Sequence, residues 1–286
     1  MQHILVFGGD GQLGQSLQKV TTTSDKECVY HFFGKQEANL LNCDSLDLLF
    51  QKYKPTHIVN CAAYTGVDKA EEETENAFSI NCLGAENIAS LCKTYDSCLI
   101  QISTDFVFAG TKAAPLKEID PTHPIGIYGK SKLKGEEAVK NIGCCYFIVR
   151  TGWLYSEFGN NFLKTMLRLG ETKKSLNVVS DQVGTPTYAV DLAYFIKYLI
   201  AHDKKGREIY HFSNDGVASW YDFAHEIFSQ AQLDVKVAPI PTEKYPTLAK
   251  RPLYSVLSKE KLINDFNYPL SHWKDSLRQC LTYLNS

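Results

Sequence analysis

Residues 3–17 read HILVFGGDGQLGQSL, a strand-forming run that passes directly into a glycine-rich loop and from there into a helix. Gly8, Gly11 and Gly14 fall at every third position, giving G-x-x-G-x-x-G. Lacking a Cβ, Gly8 and Gly11 let the backbone pass close to a pyrophosphate, and Gly14 lets the helix approach the sheet. Leu13 and Leu17, one turn apart, supply the helix's buried face. The unpaired N–H groups of its first turn then face the anion. Such spacing also occurs in ordinary glycine-rich turns; the place, between first strand and first helix, is what the mechanism requires. Gly8, Asp10, Gly11, Gln12, Leu13 and Gly14 are therefore assigned to a dinucleotide cofactor.

Outward from this loop the same alternation recurs. Short apolar runs HILVF (3–7), CVYHFF (28–33), HIVNCAA (57–63), CLIQIS (98–103) and CYFIVR (145–150) are bounded by turn residues. Between them lie helical spacings, such as Leu46, Leu49, Phe50 and Tyr53 after an expected Asp44 N-cap, and Ile80, Leu83, Ile88 and Leu91 before strand four. Strands this apolar, separated by helices, are parallel strands covered on both faces. The fold class expected is α/β, a doubly wound parallel sheet with ligands at the carboxyl ends of its strands. Past residue 150 the pattern loosens into a helix near 161–170, a short strand LNVVS, a helix from about 188 and the strand IYHFS. We read residues 1–150 as the dinucleotide-binding core and 151–286 as a smaller, mainly C-terminal substrate lobe with some segments returning to the core.

Composition narrows the function classes. The 286 residues carry 30 basic and 32 acidic side chains, so no global field favours nucleic acid or an anionic membrane. The nine cysteines form no C-x-x-C pair and no cluster at zinc spacing, which points to reduced thiols in a cytoplasmic chain without structural metal. No run approaches the roughly 18 apolar residues of a membrane span, and the start lacks a basic and apolar leader.

Two further motifs carry chemistry. Tyr128 and Lys132, in Tyr128-Gly129-Lys130-Ser131-Lys132, stand four residues apart at a helix start and share one face. An ammonium there is expected to stabilise phenolate and lower the tyrosine pKa from about 10, making Tyr128 a general acid. Lys132 also reaches toward the cofactor ribose. Ser103-Thr104-Asp105 ends strand four, where the Thr104 hydroxyl is placed to polarise a substrate carbonyl. Each motif alone fits a blander role, a polar helix end or a turn. The three together at one sheet edge define an oxidoreductase of the Tyr/Lys type.

With these motifs the chain resembles the extended short-chain dehydrogenase/reductase superfamily, and within it the dTDP-4-dehydrorhamnose reductase family. The resemblance spans nearly the whole chain, through GGDGQLGQSL, VNCAAYTGVDKAE, ISTDFVFAGT, YGKSKLKGE, RTGWLY, NNFLKTMLRL, SDQVGTPTY and KRPLYS. It implies a Rossmann-like core and reduction of the C4 keto group of a nucleotide-linked deoxysugar. Thr104, Tyr128 and Lys132 take the catalytic roles, and Asn81, in INCLGAEN, supports the lysine through water. Ala62, Ala63 and Tyr64 follow strand three where the cofactor passes, and Thr65, Val67, Thr104, Asp105, Phe106, Tyr128, Trp153 and Asn161 touch the sugar nucleotide. Relatives often carry Tyr where this chain has Phe106, which removes one hydroxyl from the substrate site. Some bacterial relatives are dimers bridged by magnesium; the matching positions here are Ser16 and Val190, so we expect no metal and a monomer or weak homodimer.

The end of strand two, HFFGKQ, bears on the cofactor. An NADH-selective chain places an acid there, and this one has Gly34 followed by Lys35. No carboxylate repels a 2′-phosphate and an ammonium is present to pair with it, so NADPH is expected, with NADH possible. Asn39 and Leu40 lie alongside on the same segment. These residues leave open a second reading, in which Lys35 is a solvated loop charge and Glu37 or Asn39 meets the ribose. Two other functions also stay open: a nucleotide-sugar epimerase or dehydratase that recycles its hydride, with Asp105 as an extra acid or base, and a non-catalytic subunit resembling the one that assists methionine adenosyltransferase.

Overall fold

In the computed structural model, which describes residues 1–21, 27–202 and 205–284, β1 (Gln2–Phe7) sends Ile4 and Val6 into one apolar cluster and Leu5 and Phe7 into another. A strand apolar on both faces belongs inside a two-sided sheet. It pairs in parallel with β2 (Cys28–Phe33) on one edge and β3 (His57–Asn60) on the other. β4 (Cys98–Thr104) and β5 (Cys145–Thr151) continue beyond β3, again in parallel.

Helices cover both faces. α1 (Gln12–Thr21) contributes Leu13 and Leu17 to the first cluster. α2 (Cys43–Tyr53) contributes Leu46 and Phe50 to the second. α3 (Thr74–Phe78) runs through a π-helical turn, Ser79–Leu83, into α4 (Gly84–Thr94), and α5 (Ile127–Ile142) lies beside α4 on that second face. The chain turns to opposite sides after β1 and β3, so the crevice at their carboxyl ends is the switch point of a Rossmann-like, doubly wound sheet.

Beyond β5 come α6 (Phe162–Gly170), β6 (Ser175–Val179), α7 (Ala189–Ala201), β7 (Arg207–His211), α8 (Trp220–Gln230), β8 (Lys236–Ile240), α9 (Glu260–Phe266) and α10 (Trp273–Leu284). β6 and β8 pair in parallel away from the main sheet. β7, within the stretch read as IYHFS, instead pairs with β5 and completes the order β7-β5-β4-β3-β1-β2. α7 packs on α1, with Phe195 and Ile196 in the first cluster, and that cluster continues to Phe223 of α8 and Leu277 of α10.

Two local expectations are corrected. Asn42, not Asp44, caps α2: its Oδ1 accepts from Ser45 N at 3.0 Å, and Asp44 sits in the first turn. A cap must lie before the helix, and Asn42 has the non-helical backbone that this requires. Strand three stops at Asn60 rather than running to residue 63, because the Asn60 side chain takes the Ala62 N–H at 3.1 Å and turns the chain out of the sheet.

Candidate active site

The loop after β1 is shaped by what it lacks. Gly8 has φ +79°, and a Cβ there would lie 2.6 Å from Ala62 N beyond β3. A Cβ on Gly14 would collide with the Gly8 carbonyl oxygen. The backbone N–H groups of Gly8 and Gly9 both donate to Phe33 O, at 3.0 and 2.9 Å, which draws the loop onto the end of β2. Leu13 is buried against the sheet. Gln12 reaches the other way: its Oε1 accepts from Ser156 Oγ at 3.1 Å and Asn161 Nδ2 at 2.7 Å, and its Nε2 donates to Leu154 O at 3.2 Å. This ties the loop to the start of α6.

The end of β2 departs from the expectation of a site free of acids. The Glu37 carboxylate folds back to accept from Gly34 N at 2.8 Å, and the Asp10 carboxylate lies where a Gly34 Cβ would stand. Two carboxylates therefore border the position that has no acid of its own. A tight turn brings Glu37 back, with the Glu37 and Ala38 N–H groups donating to Gly34 O at 3.1 Å each. Lys35 and Asn39 are exposed, whereas Leu40 is buried beneath Gly84.

Ala62, Ala63 and Tyr64 are half-buried along the crevice. Tyr64 is fixed through its backbone: its N–H donates to Asn81 Oδ1 at 2.9 Å and its carbonyl accepts from Asn81 Nδ2 at 3.1 Å. Asn81 Nδ2 also donates to Ser131 Oγ at 2.9 Å, one residue before Lys132. Asn81 thus joins the β3 segment to α5 by direct contacts. Thr65 is exposed and Val67 half-buried on a segment clamped by Asp68, whose carboxylate accepts from Arg251 at 2.9 and 3.3 Å. Glu71 accepts the Ile127 N–H at 2.8 Å and so caps the turn of α5 that carries Tyr128.

Tyr128 lies beside Thr104, whereas the Lys132 side chain is turned to the backbone of β4, and the electrostatics differ from those expected. Burial pushes the Tyr128 phenol up to about 12, opposed by a hydrogen bond with the Thr104 hydroxyl. The predicted lowering by Lys132 is absent because the ammonium points elsewhere: Nζ donates to Ile102 O at 2.7 Å. Burial lowers Lys132 itself to about 8, against the pull of Glu136. Thr104 Oγ1 donates to Asp105 Oδ1 at 3.0 Å, and burial raises Asp105 to about 6 despite that hydrogen bond. The Phe106 ring meets Tyr128 edge-on, with centroids 5.5 Å apart.

The last two expected substrate contacts differ in kind. Trp153 holds φ +53°, unusual for a bulky residue, and stacks face to face on Trp220 at 3.6 Å. Strain of this sort gathers at functional sites. Asn161 is already engaged: Oδ1 caps α6 by accepting from Lys164 N at 3.1 Å, and Nδ2 donates to Gln12, Ser156 and Phe158. Its geometry is that of a helix cap and strut.

Sequence reasoning missed Thr151, Trp220, Glu71 and the pair Glu136 and Arg150. Thr151 stands opposite Thr104 in the β4/β5 register, and its buried hydroxyl has no hydrogen-bond partner among the described residues. Its position at the end of a core strand is the signal that could have found it. Trp220 and Glu71 depend on contacts between distant segments that no local pattern encodes.

Comparison with known proteins agrees along the whole chain. The family model for the RmlD substrate binding domain matches residues 1–286. A dTDP-4-dehydrorhamnose reductase of Aggregatibacter actinomycetemcomitans is 38% identical over 293 residues, covering 99% of each chain. A crystal structure of a dTDP-4-dehydrorhamnose reductase from Clostridium acetobutylicum superimposes with TM-score 0.95 at 41% identity, covering 100% of both chains. A Bacillus anthracis dTDP-4-dehydrorhamnose reductase solved in complex with NADP gives TM-score 0.94 at 39% identity, covering 99% of this chain and 100% of that one.

Proposed function

The chain belongs to the dTDP-4-dehydrorhamnose reductase family, and from that premise we propose that it is an NADPH-dependent reductase of the C4 keto group of dTDP-4-dehydro-L-rhamnose, yielding dTDP-L-rhamnose. The observation that carries the reading is Tyr128 beside Thr104, with Lys132 one turn further along α5, on a sheet whose switch point carries a side-chain-free loop.

The residues present fit a nicotinamide dinucleotide. The Gly8 to Gly14 loop offers a bare backbone at a helix N-terminus, suited to a pyrophosphate. The buried Thr151 hydroxyl, without a partner among the described residues, lies at the end of β5, where the nicotinamide end of such a cofactor would belong. Gly34, Lys35, Asn39 and Leu40 would hold the adenosine side, Ala62 to Tyr64 the middle, and Lys132 the nicotinamide ribose. When bound, the cofactor supplies hydride to C4.

The protein's own task is the proton. With its phenol raised to about 12, Tyr128 is protonated at neutral pH and donates to the C4 oxygen as that oxygen gains charge. Thr104 steadies the phenol, and its hydroxyl proton, directed at Asp105 in the free protein, would turn to the carbonyl when substrate is bound. The Lys132 ammonium, one turn along α5 and held on Ile102 O in the free protein, would become the counter-charge of the phenolate once substrate and cofactor are bound. Residues 151–286 mainly hold the sugar nucleotide, with Trp153 as a rigid wall, while 1–150 hold the cofactor.

The test is direct. Purified protein is incubated with dTDP-4-dehydro-L-rhamnose and NADPH, following NADPH absorbance and product stereochemistry. Stoichiometric oxidation with dTDP-L-rhamnose formed is expected. Conversion of a sugar nucleotide without net NADPH loss would instead identify an epimerase or dehydratase.

A further inference from the structure

Tyr128, Lys132 and Glu136 lie at intervals of four on α5, and successive turns of that face grip the last three residues of β4. Tyr128 meets Thr104, Lys132 Nζ donates to Ile102 O at 2.7 Å, and Glu136 Oε1 accepts from Ser103 Oγ at 2.6 Å. Behind this face, Arg150 of β5 donates to Glu136 through both arms, Nε to Oε1 at 2.9 Å and Nη2 to Oε2 at 2.7 Å. Glu136 and Arg150 are each only 1% exposed. Arg150 is seated in turn over the Phe108 ring, with Nη1 donating to Glu118 O at 3.4 Å. Burial and Arg150 together lower the neighbouring His211 to about 3, leaving the imidazole neutral.

Stability is a weak reason for such a pair, since the cost of desolvating both ions offsets their attraction and apolar replacements are often no less stable. Its location is more telling. Ser103 precedes Thr104, Arg150 precedes Thr151, and Glu136 stands one turn from Lys132.

We propose that Glu136, clamped by Arg150, is a positioning residue for the reaction: it locks α5 in register against the end of β4, so that Tyr128 meets Thr104, and it supplies the counter-charge that keeps Lys132 an ammonium. This rests on the reductase reading above. Three groups face Lys132: Glu136 from α5, the Ile102 carbonyl from β4, and Cys61 after β3, whose thiol burial pushes up to about 12 and so keeps neutral. Glu136 is therefore the negative charge among them, shared with Arg150 and, at 4.0 Å, with Lys140 on the next turn of α5. Without it Lys132 releases its proton at lower pH.

Because Glu136→Gln alone would leave Arg150 buried without a counter-ion, the informative variant is Glu136→Leu/Arg150→Met, with the thermal midpoint as a control for folding. In the folded double variant kcat should fall about 10- to 100-fold, the scale of a misplaced catalytic group, with KM for the sugar nucleotide little changed. The alkaline limb of the kcat profile should move to lower pH. Ser103→Ala keeps the ion pair but cuts its link to β4, and should lower kcat by a smaller factor with the alkaline limb unmoved. Wild-type kcat and an unmoved limb in the folded double variant would overturn the proposal. If the double variant does not fold, Ser103→Ala decides alone, and unchanged kcat there overturns it. NMR titration of Lys132 in labelled protein, without any substrate, separates the two readings. A wild-type protein inactive on the sugar nucleotide refutes the reductase assignment, while a Lys132 midpoint that falls in the double variant still supports the role of Glu136 and an unchanged midpoint refutes it.

Discussion

The loop after β1 and the Tyr128 face of α5 share one edge of one sheet and are built from opposite materials. The loop works through missing side chains: at Gly8 and Gly14 the added carbon would strike Ala62 or the Gly8 carbonyl. The α5 face works through side chains whose partners come from β4, β5 and the segment after β3. One region is damaged by adding atoms and the other by removing them. Damage to the first should appear in cofactor affinity, and damage to the second in turnover.

The sharpest test of that division is Tyr128→Phe, which deletes one oxygen. Turnover should drop by about 10²- to 10⁴-fold, the usual cost of losing a general acid. NADPH affinity, measured by fluorescence titration, should stay within a few-fold; a large loss of affinity would mean the two regions are not separable.

The complementary change is Gly14→Ala, which adds one carbon where there is no room. NADPH binding should weaken by about tenfold or more, on the scale of 1.4 kcal/mol per decade. At saturating cofactor kcat should remain within a few-fold, so a variant with normal Kd and low kcat would reverse the assignment.

A pH profile tests the α5 face alone. Burial has lowered Lys132 to about 8, so the ammonium is present below that pH and is lost above it. Above this point kcat should fall by about tenfold per pH unit as the charged form disappears. A flat profile through pH 9, roughly one unit past the midpoint, would remove the ammonium from the mechanism.

The smallest effect is expected at the end of β2, where Lys35 faces a setting that includes Asp10 and Glu37. Lys35→Ala should cost a few-fold in kcat/KM with NADPH, roughly the value of an exposed ion pair, and little with NADH. Glu37→Gln should move the ratio toward NADPH. Equal responses with both cofactors would show that neither side chain meets the 2′-phosphate.

The same contrast separates what is legible in the amino-acid sequence from what is not. The five core strands follow from apolar runs with local boundaries, and the glycine loop is contiguous, so both can be read in order along the chain. Tyr128 and Lys132 are legible too, because a helix fixes their separation. Their electrostatics are not. Whether Lys132 aims at a phenol or at Ile102 O depends on how α5 sits on β4, and that register is set by Glu136, Ser103 and Arg150 from three separate segments. Gly34 does lack an acid of its own, yet folding brings two carboxylates to it from neighbouring turns. Asn161 lies on a segment that suggests substrate contact, and only the packing of α6 against the loop shows its amide already occupied.

The face-to-face indoles of Trp153 and Trp220 have an optical consequence. Rings 3.6 Å apart and within 3° of parallel lie close enough for their electronic transitions to couple, and such coupling weakens steeply with separation and angle. One ring belongs to the turn after β5 and the other to the first residue of α8, so the pair spans the seam between the main sheet and the C-terminal elements. The chain's third tryptophan, Trp273, is buried at the start of α10 and packs edge-on against Phe223. Circular dichroism in the strong far-ultraviolet indole band of the unlabelled protein therefore carries a built-in signal that depends on how the 153 turn sits on α8.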